Sequence, residues 1–211
     1  DAKTGEARDL TPNLDANTPP APFGGSNDYA WSADGQSLAF TAEPLKNPAW
    51  STNSDIWLVP AAGGDAKNLT ESNLAADASP LFSPDGKRLA YISQSRPGFE
   101  SDLWVLRVRD VATGETKDVS SYLDRPVQGF AWKTNDELIA SIDDQGTVPI
   151  VVLPLADAPT KVERLAKGGV NAGASVGPKG ESIAYVHHSA DRPGEVYFKK
   201  AGEDARALTS H

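Results

Sequence analysis

Apolar and polar positions alternate in short bursts along this chain, and the bursts recur at a near-constant distance. Trp31-Ser32-Ala33-Asp34-Gly35-Gln36-Ser37-Leu38-Ala39-Phe40 lines up without a gap with Phe82-Ser83-Pro84-Asp85-Gly86-Lys87-Arg88-Leu89-Ala90-Tyr91, 51 residues later. The frame returns 50 residues on, at Trp132 to Ser141, and 44 residues after that, at Val176 to Tyr185. Each copy reads as a strand ending in a large apolar residue, a tight turn of Pro, Asp, Asn and Gly, and an alternating strand such as Leu-Ala-Phe. The turn residues supply the preset or positive φ that a hairpin needs.

Two more runs follow every hairpin. The third is rich in β-branched and aromatic residues, as strands prefer: Asp55 to Val59, Asp102 to Leu106, Pro149 to Leu153 and Glu195 to Lys199. The fourth closes each unit at Ala66 to Thr70, Thr116 to Ser120, Lys161 to Leu165 and Ala205 to Thr209. No segment carries a 3.6-residue apolar period with caps, so few helices are expected. Four strands per unit and a repeat near 50 residues predict an all-β chain, a β-propeller of four-stranded antiparallel blades. The predicted blades span 28–72, 78–121, 128–167 and 172–210. One blade cannot bury both its faces alone, so Trp31, Trp57, Phe82, Trp104 and Trp132 are expected to pack blade against blade.

The N-terminus matches the end of a blade: Asp1 to Thr11 aligns in frame with Asp110 to Ser120. Residues 1–12 are therefore expected to be the last strand of a preceding blade, which makes the chain four blades and a stray strand, part of a larger propeller with further blades upstream. The Pro/Gly-rich stretch Thr18 to Gly25 reads as an ordered connection into the first full blade.

Composition removes several classes. The 211 residues are 39% hydrophobic, enough for a packed core, and include no Cys, which rules out disulfides, thiolate nucleophiles and zinc ribbons. That leaves both an oxidising and a reducing compartment open. No apolar run approaches the roughly 20 residues of a bilayer span. A net charge of −9, without a Lys/Arg cluster among aromatics, argues against nucleic acid as a partner.

Candidate chemistry is sparse. Gly173-Ala174-Ser175-Val176-Gly177 has the spelling of a nucleophile elbow, but it stands at the hairpin of its repeat rather than between an apolar strand and a helix. Ser175, Asp191 and His211 follow the chain order of a triad, again without an elbow. His187 and His188 are adjacent on a predicted strand and point to opposite faces, so they do not chelate one ion. Asp143-Asp144-Gln145-Gly146 reads as a turn rather than a calcium loop. No catalytic residue, metal or cofactor is expected in this chain.

What remains is the set of loops between the second and third strands: Ala42 to Ser54, Ser93 to Ser101, Asp143 to Val148 and His188 to Gly194. All look longer than tight hairpins, they are expected on one rim, and function concentrates on such loops. They carry Glu43 and Trp50; Arg96, Phe99 and Glu100; and Asp191, Arg192 and Glu195. Glu43, Trp50, Arg96, Phe99, Glu100 and Arg192 are the candidate substrate-facing residues. A carboxylate there can pair with a peptide's ammonium and an arginine with its carboxylate; the alternative is a solvated rim of internal ion pairs.

The Ser83 to Tyr91 repeat, the Trp50-Ser51-Thr52-Asn53-Ser54-Asp55-Ile56-Trp57 run and the Arg96-Pro97-Gly98-Phe99-Glu100 loop together resemble the propeller domain of bacterial prolyl oligopeptidase-family serine peptidases, the dipeptidyl aminopeptidase and acylaminoacyl-peptidase group. The resemblance covers essentially the whole chain. It implies an α/β-hydrolase domain in the same polypeptide, reached beyond a closing strand like Leu208-Thr209, that carries the Ser-Asp-His triad. The propeller would then be a non-catalytic lid and size filter over a site that cleaves short peptides. No triad residue maps onto this chain. TolB-type propellers share the Pro-Asp-Gly hairpin, so a non-enzymatic scaffold for protein partners is the alternative. A propeller lyase acting on acidic sugars would need a basic, His-rich channel that this acidic chain lacks.

Overall fold

The computed structural model describes residues 3–20, 28–45, 50–156 and 158–210. Residues 21–25 of the expected connection, 46–49 of the first long loop, and His211 lie outside the described residues. The fold is all-β, and among the described residues helix is limited to single 3-10 turns such as Ser121–Leu123 and Pro178–Gly180. Among the described residues, seventeen strands form four antiparallel sheets. β2 (Tyr29–Trp31), β3 (Ser37–Pro44), β4 (Asp55–Pro60) and β5 (Lys67–Asn68) make the first sheet, to which β1 (Ala16–Asn17) adds beside β3. β6 (Asp77–Phe82), β7 (Arg88–Ser93), β8 (Val105–Asp110) and β9 (Thr116–Asp118) follow in sequence order, as do β10 (Val127–Trp132), β11 (Glu137–Ile142), β12 (Ile150–Pro154) and β13 (Arg164–Ala166). The last sheet is β14 (Val170–Val176), β15 (Ser182–Ser189), β16 (Arg192–Lys200) and β17 (Arg206–Ala207). Each sheet is the up-down-up-down blade of a propeller.

The repeated hairpin has a local cause. Ser32 Oγ donates to Asp34 Oδ1 at 2.6 Å while Asp34 Oδ1 also accepts Gln36 N at 3.0 Å, and Gly35 takes φ +69°. Ser83 and Asp85 repeat the contact at 2.6 Å with Gly86 at φ +70°. A Cβ on Gly86 would be strained by that φ and would lie 3.2 Å from Ala33 Cβ, so glycine is required twice over.

The chain divides into two compact units, residues 1–82, 86–102 and 110–114 in one and 83–85, 103–109 and 115–211 in the other. Inside the first, Ala39, Ile56, Phe82, Leu89 and Tyr91 form a buried cluster, and Phe40, Ala42 and Val59 a second on the other face of the first sheet. Inside the second, Ile139, Ile150, Val152, Ala166, Ile183 and Tyr185 play that part. Each fully buried aliphatic side chain contributes about 1.5–3 kcal/mol relative to exposure.

Three expectations need correction. Phe82 and Trp132 are buried as blade-packing residues should be, but Trp31 at the equivalent position is 53% exposed. Among the described residues, Leu10, Leu14 and Ala16 pack onto the cluster of Phe40, Ala42 and Val59 on its face of the first sheet. The fourth long loop is a tight hairpin: β15 and β16 pair Ser189 with Arg192, leaving Ala190 and Asp191 as the turn. Finally, Asp102-Leu103-Trp104 does not open a third strand. Trp57 pairs with Asn68 and Arg107 with Asp118, so β8 starts at Val105 and the equivalent of Asp55 is Val105. Residues 3–12 carry no strand, although Leu10 joins the core and Arg8 donates to the Ala61 carbonyl.

A hydroxyl latch closes most blades. Thr70 Oγ1 accepts Ile56 N at 3.0 Å, Ser120 Oγ accepts Leu106 N at 2.7 Å, and Thr209 Oγ1 accepts Val196 N at 3.0 Å. The third sheet has Ala166 in that position, and Ile150 pairs with it directly.

Candidate functional site

The loop from Gln94 to Asp102 is the most firmly built of the candidate loops. Its base is Gln94, 1% exposed, whose Nε2 donates to Glu100 O at 3.0 Å and Asp102 O at 2.9 Å. Gln94 is itself placed by Asn73, whose Nδ2 reaches Gln94 O at 3.0 Å, Ser93 Oγ at 3.2 Å and both Asp77 carboxylate oxygens at 3.1 Å. Asp77 is fully buried, and that network sits under the loop rather than in it.

Asp102 ties the two ends of the loop together. Its Oδ2 accepts Ser95 N and Arg96 N, both at 2.8 Å, and its Oδ1 accepts Arg96 Nε at 2.7 Å. The carboxylate side chain is 6% exposed and the arginine side chain 67%. The guanidinium carbon stands 4.3 Å from the Phe99 ring centroid, a cation–π stack. Gly98 turns the loop at φ +74°, and its N–H donates to Thr52 Oγ1 at 3.0 Å, which joins the loop to the one carrying Trp50.

Arg96, Phe99 and Glu100 are therefore brought onto one rigid loop, with Trp50, 90% exposed, two residues from the Thr52 contact. Glu43 is apart from them at the end of β3, where it accepts from Asn17 Nδ2 at 3.4 Å. Arg192 begins β16 beside the Asp191 turn, Asp191 accepts Ser189 Oγ at 2.7 Å, and Glu195 accepts the Thr209 hydroxyl. Gln94, Asp102 and Asn73 were missed in the sequence. An Asp ahead of an apolar run was visible there, but it suggested a strand start and not a loop anchor.

The other titratable clusters are structural. Asp144 accepts Arg125 Nε at 3.0 Å and Arg164 Nη2 at 2.6 Å, and these bonds hold its carboxyl below the ordinary value. His187 Nδ1 meets Asn171 Oδ1 at 2.8 Å, and Asn171 Nδ2 donates to the Val148 and Gly168 carbonyls at 2.8 and 3.0 Å. The amide orientation assigns the Nδ1 proton to His187. Ser175 lies within β14 opposite Ala184, so the Gly173–Gly177 spelling is ladder and turn. Among the described residues no helix is long and apolar enough to cross a membrane.

No family model matches the chain. A curated relative does: dipeptidyl-peptidase 5 of Porphyromonas gingivalis is 40% identical over 116 residues, 54% of this chain. The chain is a relative of dipeptidyl-peptidase 5. The matched stretch is only 17% of that protein's length. Among solved structures, the uncomplexed acylaminoacyl peptidase of Pyrococcus horikoshii superimposes with a TM-score of 0.66 at 22% identity, over 86% of this chain and 27% of that one. TolB of Acinetobacter baumannii gives 0.63 at 19% identity, over 86% and 43%. These two likenesses carry the propeller fold, and the dipeptidyl-peptidase relative bears out the resemblance to prolyl oligopeptidase-type peptidase propellers.

Proposed function

We propose that this chain is the propeller portion of a serine dipeptidyl peptidase, a non-catalytic lid that gates a hydrolase domain of the same polypeptide and admits short peptides. The 40% identity to dipeptidyl-peptidase 5 carries the reading. The chemistry of such a peptidase is nucleophilic acyl transfer by a serine outside this chain. The chain's own contribution is the loop from which Arg96, Phe99 and Glu100 meet the substrate, with Trp50 on the loop joined to it.

The intact gene product tests this directly. It should react with a serine-directed fluorophosphonate and release dipeptides from short peptides, while the isolated 211-residue chain does neither. Cleavage should decline as peptides lengthen and vanish for folded proteins. A product that never labels favours the TolB-like scaffold, and one that cuts folded proteins as fast as peptides has no lid.

A further inference from the structure

We propose that Arg96 is a carboxylate clamp, a subsite that recognises peptides through an acidic group. This rests on the peptidase reading and goes beyond it by assigning a ligand class to one residue. Three observations converge. First, Nε of Arg96 is held by Asp102 and its face lies on Phe99, so the guanidinium is fixed in both rotation and tilt. Second, Nη1 and Nη2 make no hydrogen bond among the described residues, while the side chain as a whole is 67% exposed. With Nε occupied, those two nitrogens present one parallel pair of N–H donors outward, the fork that matches a carboxylate bidentately. Third, the loop beneath is set by buried Gln94 and by the Asp102 bonds to Ser95 N and Arg96 N. Little ordering entropy is then left to lose when the ligand binds.

The anchoring of Arg96 also argues against a simple surface ion pair. An exposed Arg–carboxylate pair contributes little because two mobile side chains must be ordered. Here the acid is buried and already fixed by backbone amides, so the cost of aiming the arginine is met within the fold. Phe99, and Trp50 on the joined loop, add apolar contact for the residue that bears the ligand carboxylate.

Two sources present this chemistry, the C-terminal carboxylate of a peptide and an Asp or Glu side chain. The test uses one tetrapeptide in three forms: free acid, C-terminal amide, and amide with an internal Glu. Binding to the 211-residue chain is followed by the NMR signals of Arg96 Nε–H and of the Trp50 indole. Hydrolysis of the same peptides is followed with the intact gene product. The free acid should bind about tenfold more tightly than the plain amide, as expected for a charge-assisted pair. Arg96→Gln should erase that ratio, Arg96→Lys should keep only part of it, and the Gly98 amide signal should show that the loop stays folded in both. If the internal Glu restores binding to the amide, the side chain is the source; if it does not, the C-terminus is. Equal binding of all three forms to the parent chain, or an acid preference that survives Arg96→Gln, overturns the clamp. Hydrolysis that proceeds without any acid preference removes the clamp and leaves the peptidase reading standing. An acid preference in binding with no hydrolysis by the gene product does the reverse.

Discussion

Asp55-Ile56-Trp57 and Asp102-Leu103-Trp104 are spelled alike, 47 residues apart, and do different work. Asp55 opens β4 and faces the latch, with Thr70 Oγ1 at 3.4 Å and Asn53 Nδ2 at 3.3 Å. Asp102 stands three residues before β8 and holds a loop and an arginine. Burial is the largest influence on the Asp55 carboxyl and raises it above its ordinary value of 3.8, against hydrogen bonds from Asn68, Asn53 and Thr70. Asp102 has a cation and two backbone amides instead. Two blades of one repeat thus use the same local pattern once to open a strand and once to build a platform.

The largest effect is expected at Asp102. Asp102→Ala strands two backbone N–H groups and frees Arg96, which should cost about 3 kcal/mol and speed amide exchange at Ser95 and Arg96. A loss no greater than that of Asp55→Ala in denaturant titrations would erase the distinction between the two segments. Gln94→Met should cost about 2 kcal/mol by leaving the Glu100 and Asp102 carbonyls unpaired, with the exchange change confined to the same loop.

The latch comes next. Ser120→Ala and Thr70→Val each remove an acceptor from a buried strand amide, at about 1 kcal/mol apiece by chemical denaturation. Thr70→Val should cost slightly more than Ser120→Ala, because Thr70 Oγ1 also donates to Asp55 Oδ1.

The pH dependence is smaller and has a definite sign. Since the folded protein holds the Asp55 proton longer than the unfolded chain does, its penalty is absent well below 3.8 and sets in as pH rises through the folded value. Asp55→Asn should therefore gain on the parent as pH rises from about 4 to about 7. Asp144 has the opposite sign. Its carboxyl is lowered by hydrogen bonds from Arg164 and Arg125, so its stabilisation is present above 3.8 and is lost as pH falls through the folded value. Thermal melts should show Asp55→Asn gaining on the parent as pH rises above 3.8, and the deficit of Asp144→Asn, constant above 3.8, shrinking only as pH falls below it. Arg96→Gln should cost about 1 kcal/mol, because it removes one of three donors from the buried Asp102 carboxylate and leaves the two backbone amides in place.

Much of the fold was legible because a blade is written locally. Ser-x-Asp-Gly makes its own turn through side-chain-to-backbone bonds, and period-two alternation places Leu38, Leu89 and Leu138 on one register wherever the hairpin occurs. The candidate loop was legible only in part. Arg96, Phe99 and Glu100 stood out by residue type, whereas Gln94 and Asn73 looked like ordinary polar loop residues. Their role depends on carbonyls brought to them by folding, six and eight positions away for Gln94 and 21 for the Asn73 bond to Gln94.

By itself, then, the sequence determined the repeat, the four-stranded units and the hairpins, all set by contacts within a few residues. Tertiary structure decided which Asp opens a strand, that the fourth long loop is a tight turn, and that Trp31 stays exposed. Those outcomes depend on strand register and on which groups arrive from elsewhere in the chain. An aspartate has the same propensity in both places; only the donors gathered around it, Thr70 in one case and Arg96 with two amides in the other, give it a role.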